Sequence, residues 1–451
     1  MTTHWYASRP YENHPSGPPS YKGGVAADLR YPGVPSNKLV HHRLGGWLPK
    51  DHRVMEQWLA KHVAKVDERA RKHFGEPLAP VLQEFQHLIE SDSVIYMGFH
   101  QMFEQVPMKP PYCHDPTGKP QVRDYKLMLA LFNDILTSAP EYENNDLVGF
   151  PINAILDWPM GTPAGYSMFT NEKVNKQFKK LFDVWFDFLI SPDSRVVLTT
   201  ADNGWFGPGA SAVMPNFVQT YVCDPDAEYY AFRSWDDFFT RAFRPGMRPV
   251  DFPQDDIITS ACESTIYCRA TDVKERDSFW LKGQPYSLAD MLNHDATYVP
   301  QFAGGTVYQA FLSATKYHRW HSPVNGTIVD VVDVPGTYYA ESPAMGFDPA
   351  GPNDSQAFIT AMATRALIYI QADYAQIGLL CFIAVGMSEV SSCEVKVTKG
   401  QKVSKGDELG MFHFGGSTHC LIFRPETKIT FLRDQKIGDD VLLNAPIATV
   451  G

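Results

Sequence analysis

Between residues 51 and 200, apolar side chains recur at the spacing of an α-helix. One helical face consists of Leu82, Phe85, Leu88 and Ile89. A longer face follows positions i, i+4, i+7, i+8, i+11, i+14 and i+15, and its members are Val174, Phe178, Leu181, Phe182, Trp185, Phe188 and Leu189. Thr170 stands where a helix N-cap is expected. This region therefore predicts amphipathic helices whose aromatic faces pack into a core.

Farther along the chain, short apolar runs alternate with Gly, Pro, Asn and Asp. Residues 327–334 end at a Pro-Gly pair, residues 366–370 precede Ala-Asp, and residues 379–385 end at Gly386. Such runs predict β-strands. Residues 395–398 and 402–404 flank Lys399-Gly400, and Lys405-Gly406-Asp407 follows. We expect tight hairpins here that lead into residues 409–417.

The first 50 residues are rich in Pro, Gly, His and Tyr and show no periodicity, so an extended arm or linker is expected. The combined pattern predicts an α+β fold in three parts. These parts are the arm at 1–50, a helical N-terminal module at 51–200 and a β-rich domain at 201–451.

Composition restricts the function classes that the chain can serve. The 451 residues include 40 Lys+Arg against 51 Asp+Glu, a net charge of −11, which disfavours nucleic acid and anionic lipid as partners. The seven cysteines are scattered without a C-x-x-C pair, which favours a reducing compartment.

The first thirty residues lack the apolar core of a secretory signal. Residues 374–388 are uncharged but fall short of the roughly 20 apolar residues of a membrane span. We expect a cytoplasmic protein without a membrane span.

Reactive residues concentrate in three segments of the β-rich part: 261–264 around Glu263, 317–323 with His318 and His321, and 414–419 around Ser417. Each signal is weak alone. The Gly-Gly-Ser run also fits a simple hairpin, and the histidine pair also fits a structural or acid-base role. A metal site is least favoured because further ligands at familiar spacing are missing.

Glu263 is the single charge in residues 257–268, so partial burial is expected. A buried carboxylate needs a partner. Orienting a histidine would provide one, and so would a salt bridge to an arginine such as Arg244 or Arg248. A serine, a histidine and a carboxylate together suggest a hydrolase. However, the G-x-S-x-G elbow is absent because Thr418 and His419 follow Ser417, and glycine-rich phosphate loops are absent as well.

The second half of the chain resembles the phosphatidylserine decarboxylase family of pyruvoyl-dependent enzymes. The segments that carry this resemblance are 236–241, 244–249, 282–288, 317–323, 334–336 and 415–418. The helical region, including 178–183 and 193–195, further resembles the soluble fungal branch of the family, which contains the L-tryptophan decarboxylase of psilocybin biosynthesis.

The resemblance implies a zymogen that cuts itself between Gly416 and Ser417. The products would be a β chain of residues 1–416 and an α chain of residues 417–451, with Ser417 converted to a pyruvoyl group. This group takes the place of pyridoxal phosphate, so no external organic cofactor is expected. No residue is assigned as a metal ligand, and metal dependence is left open.

By the same resemblance, His321 takes the serine proton and His318 reprotonates the substrate α-carbon. Thr418 donates a hydrogen bond to the developing oxyanion. Glu263 stands where membrane-bound members carry Asp. Its extra methylene changes its reach toward His321, while the carboxylate chemistry is preserved.

The expected reaction is decarboxylation of a free aromatic L-amino acid, with L-tryptophan to tryptamine plus CO2 as the leading case. The alternative substrate is phosphatidylserine, which would give phosphatidylethanolamine. Two further alternatives are a non-catalytic relative with an intact Gly416-Ser417 bond and a hydrolase that uses Ser417 uncut. Expected partners are the amino acid and the two chains of one precursor, with a homo-oligomer left open.

Overall fold

In the computed structural model, the described residues are 52–72, 77–108, 121–142, 150–276, 286–313, 315–342, 355–389, 392–414 and 417–451. The arm at 1–50 lies outside the described residues, as does the segment containing Gly415 and Gly416. Helices dominate the first part of the chain and antiparallel strands the second, which confirms the predicted α+β class.

Longer helices precede residue 200, and shorter ones lie between and beside the strands. They are α1 (His52–Lys72), α2 (Pro80–Ser91), α3 (Ser93–Gln105), α4 (Tyr125–Ile135), α5 (Pro151–Met160), α6 (Pro163–Phe169), α7 (Glu172–Leu189), α8 (Pro208–Val213), α9 (Phe217–Thr220), α10 (Trp235–Phe239), α11 (Leu288–Met291), α12 (Val299–Phe302) and α13 (Gln356–Met362). None of these described helices combines the length and the apolar character that crossing a bilayer requires.

The long aromatic face predicted from the sequence belongs to α7, and most of its residues are buried. The predicted cap was wrong by one residue. Asn171 is the N-cap, because its side chain accepts hydrogen bonds from the backbone N–H groups of Lys173 and Val174. Thr170 instead donates its hydroxyl to the Tyr166 carbonyl at the end of α6, since that helix stops immediately before it.

The strands form three sheets. They are β1 (Ile257–Thr259), β2 (Ser264–Val273), β3 (Gly305–Leu312), β4 (Arg319–His321), β5 (Gly326–Val334), β6 (Arg365–Ala372), β7 (Leu379–Gly386), β8 (Ser392–Val395), β9 (Lys402–Val403), β10 (Glu408–His413), β11 (Ser417–Phe423), β12 (Ile429–Phe431), β13 (Asp440–Val441) and β14 (Pro446–Val450). The eight-stranded sheet has the order β13-β2-β3-β11-β7-β6-β5-β9. Two three-stranded sheets have the orders β4-β10-β8 and β1-β14-β12.

The predicted hairpins around Gly400 and Gly406 were wrong. Both glycines do lie in turns with positive φ, at 85° and 89°. However, β8 pairs with β10, while β9 pairs with β5 in the eight-stranded sheet. The chain therefore changes sheet at each turn, because longer-range pairing takes precedence over the local hairpin.

Helices and sheets share one hydrophobic core, which extends from Met55 in α1 to Val450 in β14. The ring of Phe178 in α7 lies 5.0 Å from that of Tyr339, which follows β5. On the other side, Trp320 of β4 packs 5.4 Å from Phe382 of β7. The β4-β10-β8 sheet therefore contacts the eight-stranded sheet beside β11.

Candidate active site

Ser417 is the first residue of β11, in the interior of the eight-stranded sheet. It pairs with Leu312 on β3 and with Gly386 on β7. Its side chain is fully buried, and its hydroxyl oxygen has no hydrogen-bond partner among the described residues. A buried hydroxyl without a partner is uncommon in folded proteins. The strand fixes the position of Ser417, while its hydroxyl oxygen makes no hydrogen bond to another described residue. Both features suit a nucleophile, and both suit conversion of this residue to another group.

Thr418 points its hydroxyl toward the neighbouring strand. The hydroxyl donates to the Ala310 carbonyl at 3.0 Å and accepts from Nε2 of Gln309 at 3.1 Å. A hydroxyl has one proton to donate. In this arrangement that proton is already used within the sheet, so stabilising an oxyanion would require the Thr418 hydroxyl to turn.

Gln309 connects Thr418 to other buried polar groups. Its Oε1 accepts from the Tyr286 hydroxyl at 2.6 Å, and its Nε2 also lies 3.1 Å from the Gln356 carbonyl. Sequence analysis did not single out Gln309. An amide in a strand that is otherwise almost entirely apolar was the available signal. Lys282 and Gly283, which belong to one of the segments that carry the family resemblance, lie outside the described residues.

His318 lies close to the segment that leads into Ser417. Its imidazole is fully buried and stacks on Phe239 with ring centroids 3.9 Å apart. Its backbone carbonyl accepts from the Phe412 N–H at 2.9 Å. Phe239 also contacts Phe414, 6.2 Å away, so His318 and Phe414 share a neighbour.

His321 faces a different set of groups. Its Nδ1 lies 2.7 Å from the Gly406 carbonyl, and its Nε2 lies 2.9 Å from the Tyr317 hydroxyl. Since a carbonyl only accepts, Nδ1 carries the proton and Nε2 accepts from Tyr317. Burial lowers the pKa of His321, so its ring is neutral near pH 7. The described contacts of His321 do not include Ser417 or the Glu263 carboxylate.

Glu263 has an arginine as its partner. Its Oε1 accepts from Nε of Arg248 at 2.6 Å, and its Oε2 accepts from the Leu443 N–H at 3.1 Å. Burial raises the pKa of Glu263 despite the opposing effect of Arg248. Arg244, the other arginine considered, donates instead to the carbonyls of Val218 and Cys223. Glu263 and His321 are joined through the backbone, because the His321 N–H donates to the Ala261 carbonyl at 2.8 Å.

His419 is a buried histidine that sequence analysis left without a role. It lies two residues after Ser417 and so on the same face of β11. Burial lowers its pKa to about 3, with a smaller opposing effect of the Ala310 carbonyl, so the ring stays neutral. Its signal in the sequence was an ionisable side chain in an otherwise apolar strand. Within the described segments, no group of three or more His, Cys, Asp or Glu side chains is arranged to hold a metal ion.

Comparison with known proteins gives a consistent assignment. Two family models, both described as phosphatidylserine decarboxylase, match residues 79–214 and 235–443. "Decarboxylase iboD" of Amanita muscaria is 48% identical, over 67% of this chain and 91% of that protein. "L-tryptophan decarboxylase" of Psilocybe cubensis is 39% identical, over 85% of this chain and 89% of its own length.

A lipid-named relative matches less of the chain. "Phosphatidylserine decarboxylase proenzyme 3" of Schizosaccharomyces pombe is 31% identical, over 46% of this chain and 21% of its own length. The second matched range includes Glu263, His318, His321 and Ser417. On these matches the chain is a carboxy-lyase that belongs to the phosphatidylserine decarboxylase family.

Proposed function

We propose that this protein is a self-processed, pyruvoyl-dependent decarboxylase of a free aromatic L-amino acid, with L-tryptophan as substrate and tryptamine and CO2 as products. The relative named L-tryptophan decarboxylase aligns over 85% of the chain, whereas the phosphatidylserine decarboxylase proenzyme aligns over 46%. We also propose a cytoplasmic location. In this proposal, residues 201–451 carry the chemistry and residues 51–200 form the helical module.

The observation that carries the proposal is the state of Ser417. Its buried hydroxyl oxygen has no partner among the described residues, and the strand that holds it is paired on both sides. A nucleophile fixed in this way reacts with little loss of conformational entropy. The position also fits a serine that becomes a ketone, because the hydroxyl makes no hydrogen bond to another described residue that would have to be broken.

Self-cleavage proceeds by attack of the Ser417 hydroxyl oxygen on the Gly416 carbonyl carbon. The peptide C–N bond breaks, an ester forms, and the hydroxyl proton leaves with a base. Elimination then releases the carboxylate of residue 416, and one water converts residue 417 to a keto acyl group with loss of ammonia. His321 is the proposed base, since burial keeps its ring neutral. To accept the proton, its Nε2 exchanges the hydrogen bond from Tyr317 for one from Ser417. Glu263 supports it through the backbone bond from His321 to Ala261.

In the mature enzyme, a pyruvoyl group at position 417 would supply a ketone that condenses with an amine and an adjacent amide carbonyl that withdraws electrons as CO2 leaves. His318 is the proposed acid that returns a proton to the substrate α-carbon. Its buried position beside Phe239 excludes bulk water from that transfer. Proton transfer of this kind typically contributes about 10² to 10⁴ in rate.

The first test is intact mass under denaturing conditions for the natural chain and for Ser417→Ala. We expect the natural chain to give a fragment of residues 417–451 without a free N-terminal amine. Borohydride reduction in the presence of tryptophan should add the mass of the bound substrate to that fragment. Ser417→Ala should remain one species near 50.7 kDa.

An uncut natural chain would contradict the proposal and favour a non-catalytic relative. A cut chain that releases CO2 from phosphatidylserine vesicles, but not from tryptophan, tyrosine or phenylalanine, would preserve the processing and replace the substrate. Catalytic activity retained by a Ser417→Cys chain that stays uncut would point to a hydrolase that uses residue 417 without cleavage.

A further inference from the structure

Phe414 has an unusual backbone conformation directly before the two glycines that precede Ser417. Its φ is 50°, in the left-handed region that residues with a Cβ atom rarely occupy. This conformation is unfavourable and persists only where the surroundings hold it. Backbone strain of this kind tends to accumulate at functional sites.

Four aromatic rings surround Phe414, and together they form what we call the Phe414 cage. Trp185 and Trp235 make edge contacts at 4.4 and 4.8 Å between ring centroids. Phe150 and Phe239 lie farther out, at 6.3 and 6.2 Å. Edge-to-face aromatic pairs such as those of the two tryptophans stabilise the fold beyond the area that they bury. The cage therefore offsets the backbone strain.

Hydrogen bonds and burial hold the rings of the Phe414 cage in place. Trp185 projects from α7 and donates its indole N–H to the Ser138 carbonyl at 3.0 Å. The backbone N–H of Trp235, at the start of α10, donates to the Ser194 hydroxyl at 2.8 Å. All four cage rings are buried. The position of Phe414 is thus set by elements that precede the large sheet in the chain, rather than by the sheet that contains Ser417.

Ser417 is fixed independently, by ladders to β3 and β7 on its two sides. The bond between residues 416 and 417 therefore lies between two anchors only three residues apart in sequence. From this arrangement we infer that Phe414 is a positioning residue for self-cleavage, and that the cage, to which the helical region contributes Phe150 and Trp185, gives it this role. The inference rests on the proposed function, because it concerns the rate at which Ser417 attacks the preceding carbonyl.

The test follows cleavage after cell-free synthesis, when translation has been stopped, by appearance of the 417–451 fragment on gels. We expect Phe414→Ala to slow cleavage by about ten- to a hundredfold, since small misplacements of reacting groups have effects of this size. Phe414→Leu should restore part of the rate, because it refills much of the cage. Trp185→Phe alters the cage at a residue far from the cleaved bond in sequence, and it serves as a second variant if Phe414→Ala fails to fold.

Phe85→Ala is the matched control. Phe85 is also a buried ring, and its contacts are with Phe99 and Phe178 rather than with Phe414. It should lower the thermal midpoint measured by circular dichroism while cleavage keeps nearly its natural rate. Cleavage of Phe414→Ala and Trp185→Phe at the natural rate, or slowing by Phe85→Ala to the same degree, would overturn the inference. A natural chain that stays uncut would instead remove the proposed function.

Discussion

At the scale of single residues, Glu263 and Arg248 form a largely buried ion pair. Their side chains are 7% and 19% exposed. The Glu263 carboxylate meets Nε and Nη2 of Arg248 and the backbone N–H of Leu443. Removing one partner from such a pair leaves the other charge without compensation. The pair therefore affects the stability of the strand region that contains His321, apart from any part that Glu263 plays in catalysis.

We predict that Arg248→Met lowers the free energy of unfolding by about 3 kcal/mol at neutral pH, because the Glu263 carboxylate loses its counter-charge. Urea denaturation in a Ser417→Ala background keeps the chain whole for this measurement. Arg233→Met is the control. Arg233 also pairs with a carboxylate, Asp237, but it is 85% exposed, so the loss should stay below about 1 kcal/mol. Equal losses in the two variants would contradict this assignment.

At the scale of secondary-structure elements, His413 at the end of β10 joins three elements. Its Nδ1 lies 3.0 Å from Asp236 in α10, and its Nε2 lies 2.7 Å from Glu394 in β8. Although burial opposes it, hydrogen bonds and charge from these carboxylates raise the pKa of His413. A cavity of about 530 Å³ adjoins the cluster, and its other charged side chains are Arg233, Asp237, Arg319 and Lys396.

A raised pKa in the folded state means that protonated His413 stabilises the fold at low pH. We predict that this contribution is complete below the ordinary histidine pKa of about 6.5 and is lost as the pH rises through the higher folded value. His413→Gln should therefore destabilise the protein at pH 6 more than at pH 9, as measured by urea unfolding. His294→Gln, which changes a mostly exposed histidine beside Asp290, should show little such difference. A destabilisation by His413→Gln that is the same at both pH values would refute the prediction.

The hydrophobic periodicity of each segment was sufficient to predict the helices and strands, but not which strands pair with each other. The α7 face and the strands near residues 327, 366 and 379 follow from periodicity, which each segment carries by itself. The pairing of β9 with β5 joins segments far apart in the chain, and turn residues do not encode it.

The same limit applies to the site. The reactive residue types of Glu263 and His321 were visible in the sequence. That His321 meets Gly406 depends on sheet packing, and so does the choice of Arg248 over Arg244 as the partner of Glu263. The left-handed φ of Phe414 had no sequence signal, because glycine is the residue that usually marks such a conformation.

At the scale of the whole molecule, helices and sheets are continuous through one hydrophobic core. The Phe414 cage is part of that continuity, since Trp185 comes from the helical region and Phe414 from the strand region. Elements that share a core in this way lose their packing together when one of them unfolds.

We therefore predict a single unfolding transition for the Ser417→Ala precursor. Tryptophan fluorescence, to which Trp158 and Trp185 in the helical region contribute, should give the same urea midpoint as far-ultraviolet circular dichroism, which reports on helices and strands together. Two separated midpoints would mean that the helical region folds on its own.

The central position of β11 bears on the order in which folding and the proposed cleavage take place. In the proposed mature enzyme, residues 417–451 would still supply β11 between β3 and β7, and β14 between β1 and β12. The small fragment would thus be interwoven with the large one and would leave only if interior ladders opened. Under the proposed function, folding therefore precedes cleavage. A cleaved molecule that is then denatured would lack the covalent connection between these strands, so its renaturation would require two separate chains to associate.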